Sequence, residues 1–488
     1  MLNLIEDPWI PVIYEDGAKS LIAPWQMAEE GILRPNWPRP DLNIACYELL
    51  IGLLYMADPP HDAEDWDHRY APDPARLRKR LASFAKAFNL LGDGPLFLQD
   101  FEKLDGALKP VDMLFIDSAG ANAAKNNSDI MVHRKRYGKI DFPLAAMALY
   151  TLQAFAPSGG KGLLTSMRGG GPLVTLVDPQ TGLWPLVWSN TPFGKAAQLQ
   201  DLPWMRPTRI SNPTGASKKK METFPPEGEV YGVEAFFGMP RRLRLISDGG
   251  YVCSVVEKTY GTNYAKWMHP LSPYYRKNVG EEWLPVHPRA GFFGYRNWLG
   301  VISGGMSSGT RELALTLRMR GGEGTVIVAG WVMDKNKPRD FIWSVQPFIC
   351  LEPETEYRLE CLVRAADAAG AVLRDSLKPV LAGGSAREAE LEAFFVATEN
   401  QFNLHMQELL AGVDVGERWL GDLKFQALKQ FETHALLNLA QRDMSIINKT
   451  VEARKNLALA FQGYGKRGKI IFEELGLEVP IIQKGKAA

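Results

Sequence analysis

The sequence predicts an α+β protein: a large mixed N-terminal domain with an irregular, β-rich portion over residues 1–352, followed by a C-terminal four-helix bundle over 353–488. Three observations predict it. Strand-like runs broken by turn residues crowd the stretch from about residue 170 to 350. Beyond it the strand signals stop and apolar residues recur at helical spacing. A hydrophobic fraction of 46% with 13 Trp and 22 Phe supplies apolar surface for one large and one small core in 488 residues.

Taken in order, "PWIPVIYEDGAKSLIAP" alternates apolar residues around Asp16-Gly17, a hairpin signal. "LNIACYELLIGLLYMA" and "DPARLRKRLASFAKAFNLL" (73–91) have helical periodicity, and "GPLFLQD" (94–100) reads as a short strand or extended loop. Residues 118–141 are polar, small and basic, which predicts a long loop. "FPLAAMALYTLQAFA" (142–156) predicts a buried helix. "GPLVTLV", "LWPLVWS", "RRLRLIS", "GYVCSVVEKTY", "RELALTLRMR" and "GTVIVAGWVM" read as strands, and Lys218-Lys219-Lys220 as an exposed loop. Four amphipathic sets follow: Leu359, Leu362, Val363 and Ala366; Leu391 to Leu410; Leu428 to Leu439; and Ile446 to Leu457. A bundle buries all four.

The formal net charge is zero, but its distribution is uneven. Residues 1–110 carry 11 Lys and Arg against 18 Asp and Glu, whereas residues 201–345 carry 20 against 13. Such asymmetry suits a face built for an anion or an acidic partner; chance clustering on a solvated surface explains it equally well. The opening "MLNLIEDPWIPV" lacks the basic flank of a signal peptide, and "CYELLIGLLYMA" is too short to span a bilayer and contains Glu48. Cys46, Cys253, Cys350 and Cys361 have no CxxC spacing and read as buried thiols of a reducing cytoplasm. The seven His form no H-E-x-x-H, and "HDAEDWDHR" (61–69) reads as a solvated loop before a metal site. There is no G-x-S-x-G and no dinucleotide fingerprint. No cofactor, metal or catalytic residue is expected.

One stretch, "FAPSGGKGLLTSMRGGGPLVTLV" (155–177), gathers glycines around Lys161 and Arg168. As a phosphate loop it has the wrong order: Gly162, not Ser or Thr, follows Lys161. Two other readings stand: a hairpin whose glycines only supply positive φ, or a loop that brings bare backbone against a nucleic-acid groove.

"DPWIPV…DG", the polar loop near 120–140, "FAPSGGKG…RGGGPLVTLV", "WMHPLSP" (267–273) and "GWVMDKNK" (330–337) occur in this order ahead of a helical C-terminal quarter. In this the chain resembles the CasA family, the large subunit of the type I-E CRISPR surveillance complex Cascade. The resemblance implies a non-catalytic, cytoplasmic subunit that contacts the guide RNA 5′ handle and other Cascade subunits. It further implies reading of a protospacer-adjacent motif in double-stranded DNA, help in opening the duplex, and recruitment of a helicase-nuclease. It carries motif reading to Ser158, Gly159, Gly160, Lys161 and Lys258, and the duplex wedge to Asp334, Lys335 and Asn336. It carries RNA contact to Lys125, Asn126, Asn127, Arg134, Lys135 and Arg136. Departures from the family pattern are Lys161 where glycine is frequent, Lys335 where an amide is frequent, and a solitary Cys253 where some relatives have a cysteine cluster. The alternatives are a phosphate- or nucleotide-binding enzyme using the glycine-rich loop, and a scaffold that binds only RNA or acidic subunits.

Overall fold

The computed structural model describes residues 2–118, 120, 125–127, 133–134, 136–160, 162–213, 219–303, 309–320 and 324–480. The chain divides into two compact units: Met1–Ala290 with Ser308–Cys350, and Gly291–Ser307 with Leu351–Ala488. The sequence reading kept residues 291–307 with the N-terminal domain, whereas here they group with the helical unit.

The first unit begins with β1 (Ile10–Tyr14), β2 (Lys19–Ile22), β3 (Ile32–Pro35), α1 (Pro40–Ala57), α2 (Ala63–His68) and α3 (Pro74–Ala82). It continues through β4 (Leu108–Pro110), β5 (Ile140–Asp141), α4 (Phe142–Phe155), β6 (Val174–Asp178) and α5 (Leu183–Ser189). Then come β7 (Arg242–Asp248), β8 (Tyr251–Lys258), β9 (Tyr274–Tyr275) and β10 (Leu284–Pro285). The chain gives α6 (Tyr295–Ile302) to the second unit and returns for β11 (Arg311–Glu312), α7 (Leu315–Met319), β12 (Thr325–Asp334) and β13 (Lys337–Pro347). The second unit is completed by α8 (Pro353–Ser376), α9 (Gly384–Leu410), α10 (Gly416–Leu436), α11 (Met444–Ala460) and α12 (Gly465–Glu474).

The strands form small antiparallel sheets rather than one large one: β2-β1-β3, β10-β9-β11, β13-β12-β6, and a group in which β8 pairs with β4, β5 and β7. The first hairpin turns at Asp16-Gly17 as its sequence predicts, with Gly17 at φ 85° and the Ala18 N–H bonded to the Asp16 carboxylate at 2.8 Å. At the centre of the first unit, α1 and α4 are apolar on nearly all sides and are buried by the elements around them. Each has Pro in its first turn, where the missing N–H is not needed, and the Asp141 side chain caps α4 by accepting from Leu144 N at 2.8 Å.

Two predicted strands are helical instead. "LWPLVWS" forms α5, because its Trp184 and Trp188, four apart, stack at 5.4 Å on one face. Asn190 then ends the helix, its side-chain amide donating to Leu186 O and to Val177 O of β6. "RELALTLRMR" is strand only at Arg311–Glu312 before turning into α7, which buries Thr316 and Leu317. The stretch 73–91 is α-helical only through Ala82, with a single 3-10 turn at Ala85–Ala87, and 94–100 forms no strand. The cysteine expectation is corrected too: Cys46 and Cys361 are buried, but Cys253 is half-buried and Cys350 exposed.

In the second unit the four amphipathic sets form α8 to α11, with α12 added after them. Trp419 of α10 is fully buried and donates to Leu362 O of α8 at 3.0 Å. Tyr295 of α6 stacks on Phe402 of α9 at 4.3 Å and shares a hydrogen bond with Thr398, which explains why this segment joins the helices. Gly468 of α12 lies where a Cβ would be 2.6 Å from Ala460 O, so only glycine lets α12 approach α11 this closely.

Candidate nucleic-acid interface

The glycine-rich stretch begins where α4 ends. After Ala156 the chain makes a tight turn: Gly159 N donates to Leu163 O at 3.1 Å and Leu163 N to Gly160 O at 3.3 Å. Gly160 at φ 114° and Gly162 at φ 76° occupy backbone conformations that a side chain disfavours. Ser158 is half-buried and its hydroxyl reaches Leu163 O only at 3.4 Å, while Gly159 and Gly160 are exposed. Lys161 lies outside the described residues.

The turn is seated on the end of β8. Tyr260 N donates to Gly162 O at 2.6 Å, and a Cβ on Gly162 would be 2.7 Å from Thr259 Cβ. Lys258, the last residue of β8, is exposed and immediately precedes this contact. So the two proposed motif readers, distant in sequence, are brought together. Beneath them the Arg241 guanidinium donates to Leu164 O and to Pro157 O, both at 2.7 Å, and pairs with Glu257 at 2.9 Å. Glu257 also pairs with Lys109 of β4.

The second half of the stretch is built differently. Arg168 is 2% exposed and pairs with Glu48 of α1, itself 0% exposed, at 2.6 Å. Arg168 also donates to Ser272 at 3.0 Å, and His269 Nε2 lies 3.3 Å from the same Glu48 oxygen. Burial pushes the Glu48 carboxyl up, but Arg168 and His269 beside it outweigh this and hold it at about 2. Burial, with the Arg168 charge acting in the same direction, pushes the His269 imidazole down to about 4. At neutral pH this is an ionised carboxylate–guanidinium pair with a neutral imidazole alongside. A Cβ on Gly171 would be 2.5 Å from Trp331 O, and one on Gly170 2.7 Å from Pro157 Cα. Gly171 therefore lets the chain pass close against β12 before entering β6, which pairs with β12.

The hairpin β12–β13 ends in the turn Lys335-Asn336, with Lys335 at φ 57°. Asp334, Lys335 and Asn336 are all exposed, and Asp334 pairs with Arg339 across the turn at 2.9 Å. The tip thus projects a cation and an amide on a rigid two-strand arm.

In the polar loop, Lys125, Asn126 and Asn127 are exposed, and Arg134 donates to the Asn127 side chain at 2.9 Å. Lys135 lies outside the described residues. Arg136 is half-buried, bonded to both oxygens of Asp117 at 2.9 and 2.8 Å and packed over Tyr137 and Phe115. Asp117 is shared with Arg39, so this guanidinium is committed to holding the base of the loop.

The topology does not place after the glycine turn the helix start that a phosphate loop requires. Such sites use the free N–H groups at the start of a helix that follows the loop; here α4 precedes the turn and β6 follows it. Among the described residues no group of three or more His, Cys, Asp or Glu is placed to hold a metal ion. Asp62–Arg69 of the "HDAEDWDHR" stretch instead form capped helix α2, with Asp62 accepting from Asp65 N and Asp65 pairing with Arg69. No described helix is long and apolar enough to cross a membrane.

Sequence reasoning missed Arg241, Glu257 and Glu48. The Glu48 signal was available as an acid in the middle of the apolar run that follows the first turn of α1, which demands a buried cation.

A family model described as CRISPR-associated protein Cse1 matches residues 3–436, so α11 and α12 lie beyond it. Among solved structures, Cse1 of Thermobifida fusca is similar with a TM-score of 0.71 at 16% identity, over 97% of this chain and 98% of that one. CasA of Thermus thermophilus is similar with a TM-score of 0.69 at 18% identity, over 94% and 98%. A chain described as part of a CRISPR RNA-guided surveillance complex has a TM-score of 0.66 at 13% identity, over 94% and 99%. At these identities the likeness to the solved structures is one of fold. No curated protein sequence matches the chain.

Proposed function

This chain belongs to the CRISPR-associated Cse1 family, and from that premise we propose that it is the large, non-catalytic subunit of an RNA-guided surveillance complex. In this reading it recognises a short protospacer-adjacent motif in double-stranded DNA, helps open the duplex and offers a docking surface for a helicase-nuclease. The observation that carries the reading is the seat of the glycine turn on the end of β8, with Tyr260 N and Gly162 O 2.6 Å apart and Lys258 exposed beside it.

The physical logic is that of a minor-groove reader. Main chain without a Cβ, at Gly159 and Gly160, approaches base edges closely, with Ser158 and Lys161 flanking it. A lysine such as Lys258 donates to the groove acceptors common to A·T and T·A pairs and lessens phosphate repulsion. That groove distinguishes pairs mainly by the guanine amino group, so the subunit tolerates several related motifs. Asp334, Lys335 and Asn336 act as the wedge; insertion costs a few kcal/mol of unstacking, which guide pairing offsets. Lys125, Asn126, Asn127, Arg134 and Lys135 face the 5′ handle of the guide RNA, while Arg136 anchors that loop through Asp117. The whole operates in the cytoplasm without cofactor or metal.

The test uses the complex assembled with guide RNA. Affinity for duplexes with and without the motif is compared for the parent chain and for Lys258→Ala and Lys161→Ala. The reading expects a large preference for the motif, strong salt dependence, and loss of the preference in the variants. Unchanged discrimination in both variants points to a scaffold without DNA reading. Nucleotide hydrolysis by the isolated chain points to an enzyme.

A further inference from the structure

Arg241 lies outside every surface assigned above, yet it holds both sides of the glycine turn. We propose that the Arg241–Glu257 ion pair is a positioning clip that sets the shape of the turn and its distance from Lys258, and so determines motif specificity without touching DNA. The proposal rests on the motif-reading function proposed above.

The bonds that close the turn from within are long. They run at 3.1 Å from Gly159 N to Leu163 O, 3.3 Å from Leu163 N to Gly160 O and 3.4 Å from Ser158 Oγ to Leu163 O. With glycine at 159, 160 and 162, the turn has wide backbone freedom and little of its own to restrain it. The clip supplies restraint at both ends of the turn, beside the Tyr260 N–Gly162 O bond at its far side. One planar guanidinium spans the turn, its Nε donating to Leu164 O and its Nη2 to Pro157 O, both at 2.7 Å. Its third direction, Nη1, is taken by Glu257 at 2.9 Å. Arg241 is itself fixed, since its N–H donates to Gln153 Oε1 of α4 at 3.0 Å and its carbonyl accepts from Gln153 Nε2 at 2.9 Å. The Glu257 side chain is 1% exposed, and its other oxygen is paired with Lys109.

Glu257 and Lys258 are consecutive in β8, so their side chains leave opposite faces of the strand. Holding Glu257 from below therefore fixes the origin of the Lys258 side chain relative to the turn. A lysine at 241 carries a point charge without the planar fork and cannot reproduce all three directions at once.

The experiment uses the complex assembled with guide RNA and compares the parent with Arg241→Lys, Glu257→Gln and Lys258→Ala. Three quantities are read: the ratio of Kd for a scrambled duplex to that for a motif-bearing one, Kd for a single-stranded target, and amide exchange at Gly159 and Leu163. Arg241→Lys and Glu257→Gln are expected to cut the duplex ratio about tenfold and speed exchange at both amides, with single-strand affinity within about twofold of the parent. A clip that only stabilises the fold lowers both affinities together or neither. If both clip variants keep the parent ratio while Lys258→Ala loses it, motif reading stands and the clip is overturned. If all three keep it, the motif-reading function fails and the clip with it. Should Arg241→Lys not assemble, Glu257→Gln decides by the same readings.

Discussion

Two glycine clusters a few residues apart meet opposite surroundings. Gly159 and Gly160 sit at an exposed turn, and a Cβ on Gly160 would meet nothing within 4 Å. Gly169, Gly170 and Gly171 are pressed against His287, Pro157 and Trp331, where a Cβ would lie 2.9, 2.7 and 2.5 Å from its nearest neighbour. Within the first cluster only Gly160 faces open space, since a Cβ on Gly159 would lie 3.0 Å from Leu163 Cβ; the second cluster lets one part of the protein touch another. Between them the Arg168–Glu48 pair fixes the second cluster to the core of the first unit, while the Arg241 clip holds the first from below. The same residue type therefore leaves main chain exposed at Gly160 and packs it closely at Gly169 to Gly171.

The largest expected effect comes from breaking the packed half. Arg168→Met strands the Glu48 carboxylate in the core and is expected to cost about 3–5 kcal/mol, read as a fall in the denaturant midpoint at unchanged slope. The same cluster predicts acid sensitivity. His269 titrates lower in the folded state than its ordinary 6.5, so its contribution is complete above that pH and is lost as pH falls toward about 4. Glu48 has its folded value depressed from 4.5, and its contribution is lost as pH falls from there toward about 2. Melting temperature is thus expected to be level from pH 7 to 8 and to fall from about pH 6.5 downward, with a second loss below about pH 4.5. A melting temperature independent of pH down to 4 would contradict this account. Next in size is Gly171→Ala. Its φ of 62° and its contact with Trp331 O combine backbone strain with overpacking, for about 2–4 kcal/mol by the same measurement.

What could be read in advance follows the range of the forces. The first hairpin, α1, α4 and β12 are set by local periodicity and turn residues, so alternation and helical spacing revealed them. "LWPLVWS" misled because β-propensity reflects packing on a half-buried surface, and here Trp184 and Trp188 found that packing by stacking along a helix instead. The exposed residues Gly159, Gly160 and Lys258 were legible as parts of motifs. Their support was not: Arg241 meets Pro157 and Leu164, and Glu48 meets Arg168 and His269, through pairings far apart in the chain that no local pattern encodes. The Lys161 and Arg168 pair shows the limit well, since spacing alone placed both beside the glycines, and burial assigned Arg168 to the core.

The exposed half sharpens the contrast through smaller stability effects. Gly160→Ala meets open space and carries only the strain of φ 114°, about 1–2 kcal/mol, so the fold is expected to persist. In the assembled complex it is expected to reduce motif discrimination about tenfold, the reverse of the balance at Gly171.

Ser158→Ala is the smallest change and separates two ways in which the turn can read. The hydroxyl donates to Leu163 O at 3.4 Å, near the limit for a useful hydrogen bond, so its removal is expected to alter stability by no more than about 0.5 kcal/mol. If recognition runs through main chain, as the exposed and unobstructed backbone at Gly160 argues, discrimination stays within about twofold of the parent. If the hydroxyl itself meets a base edge, the loss approaches that of Gly160→Ala, since a minor-groove acceptor stranded without its donor costs about 1–3 kcal/mol. Affinity ratios for the two variants on the same pair of duplexes decide between these mechanisms. Equal losses would mean that the turn presents a side chain, and that its glycines only shape the approach.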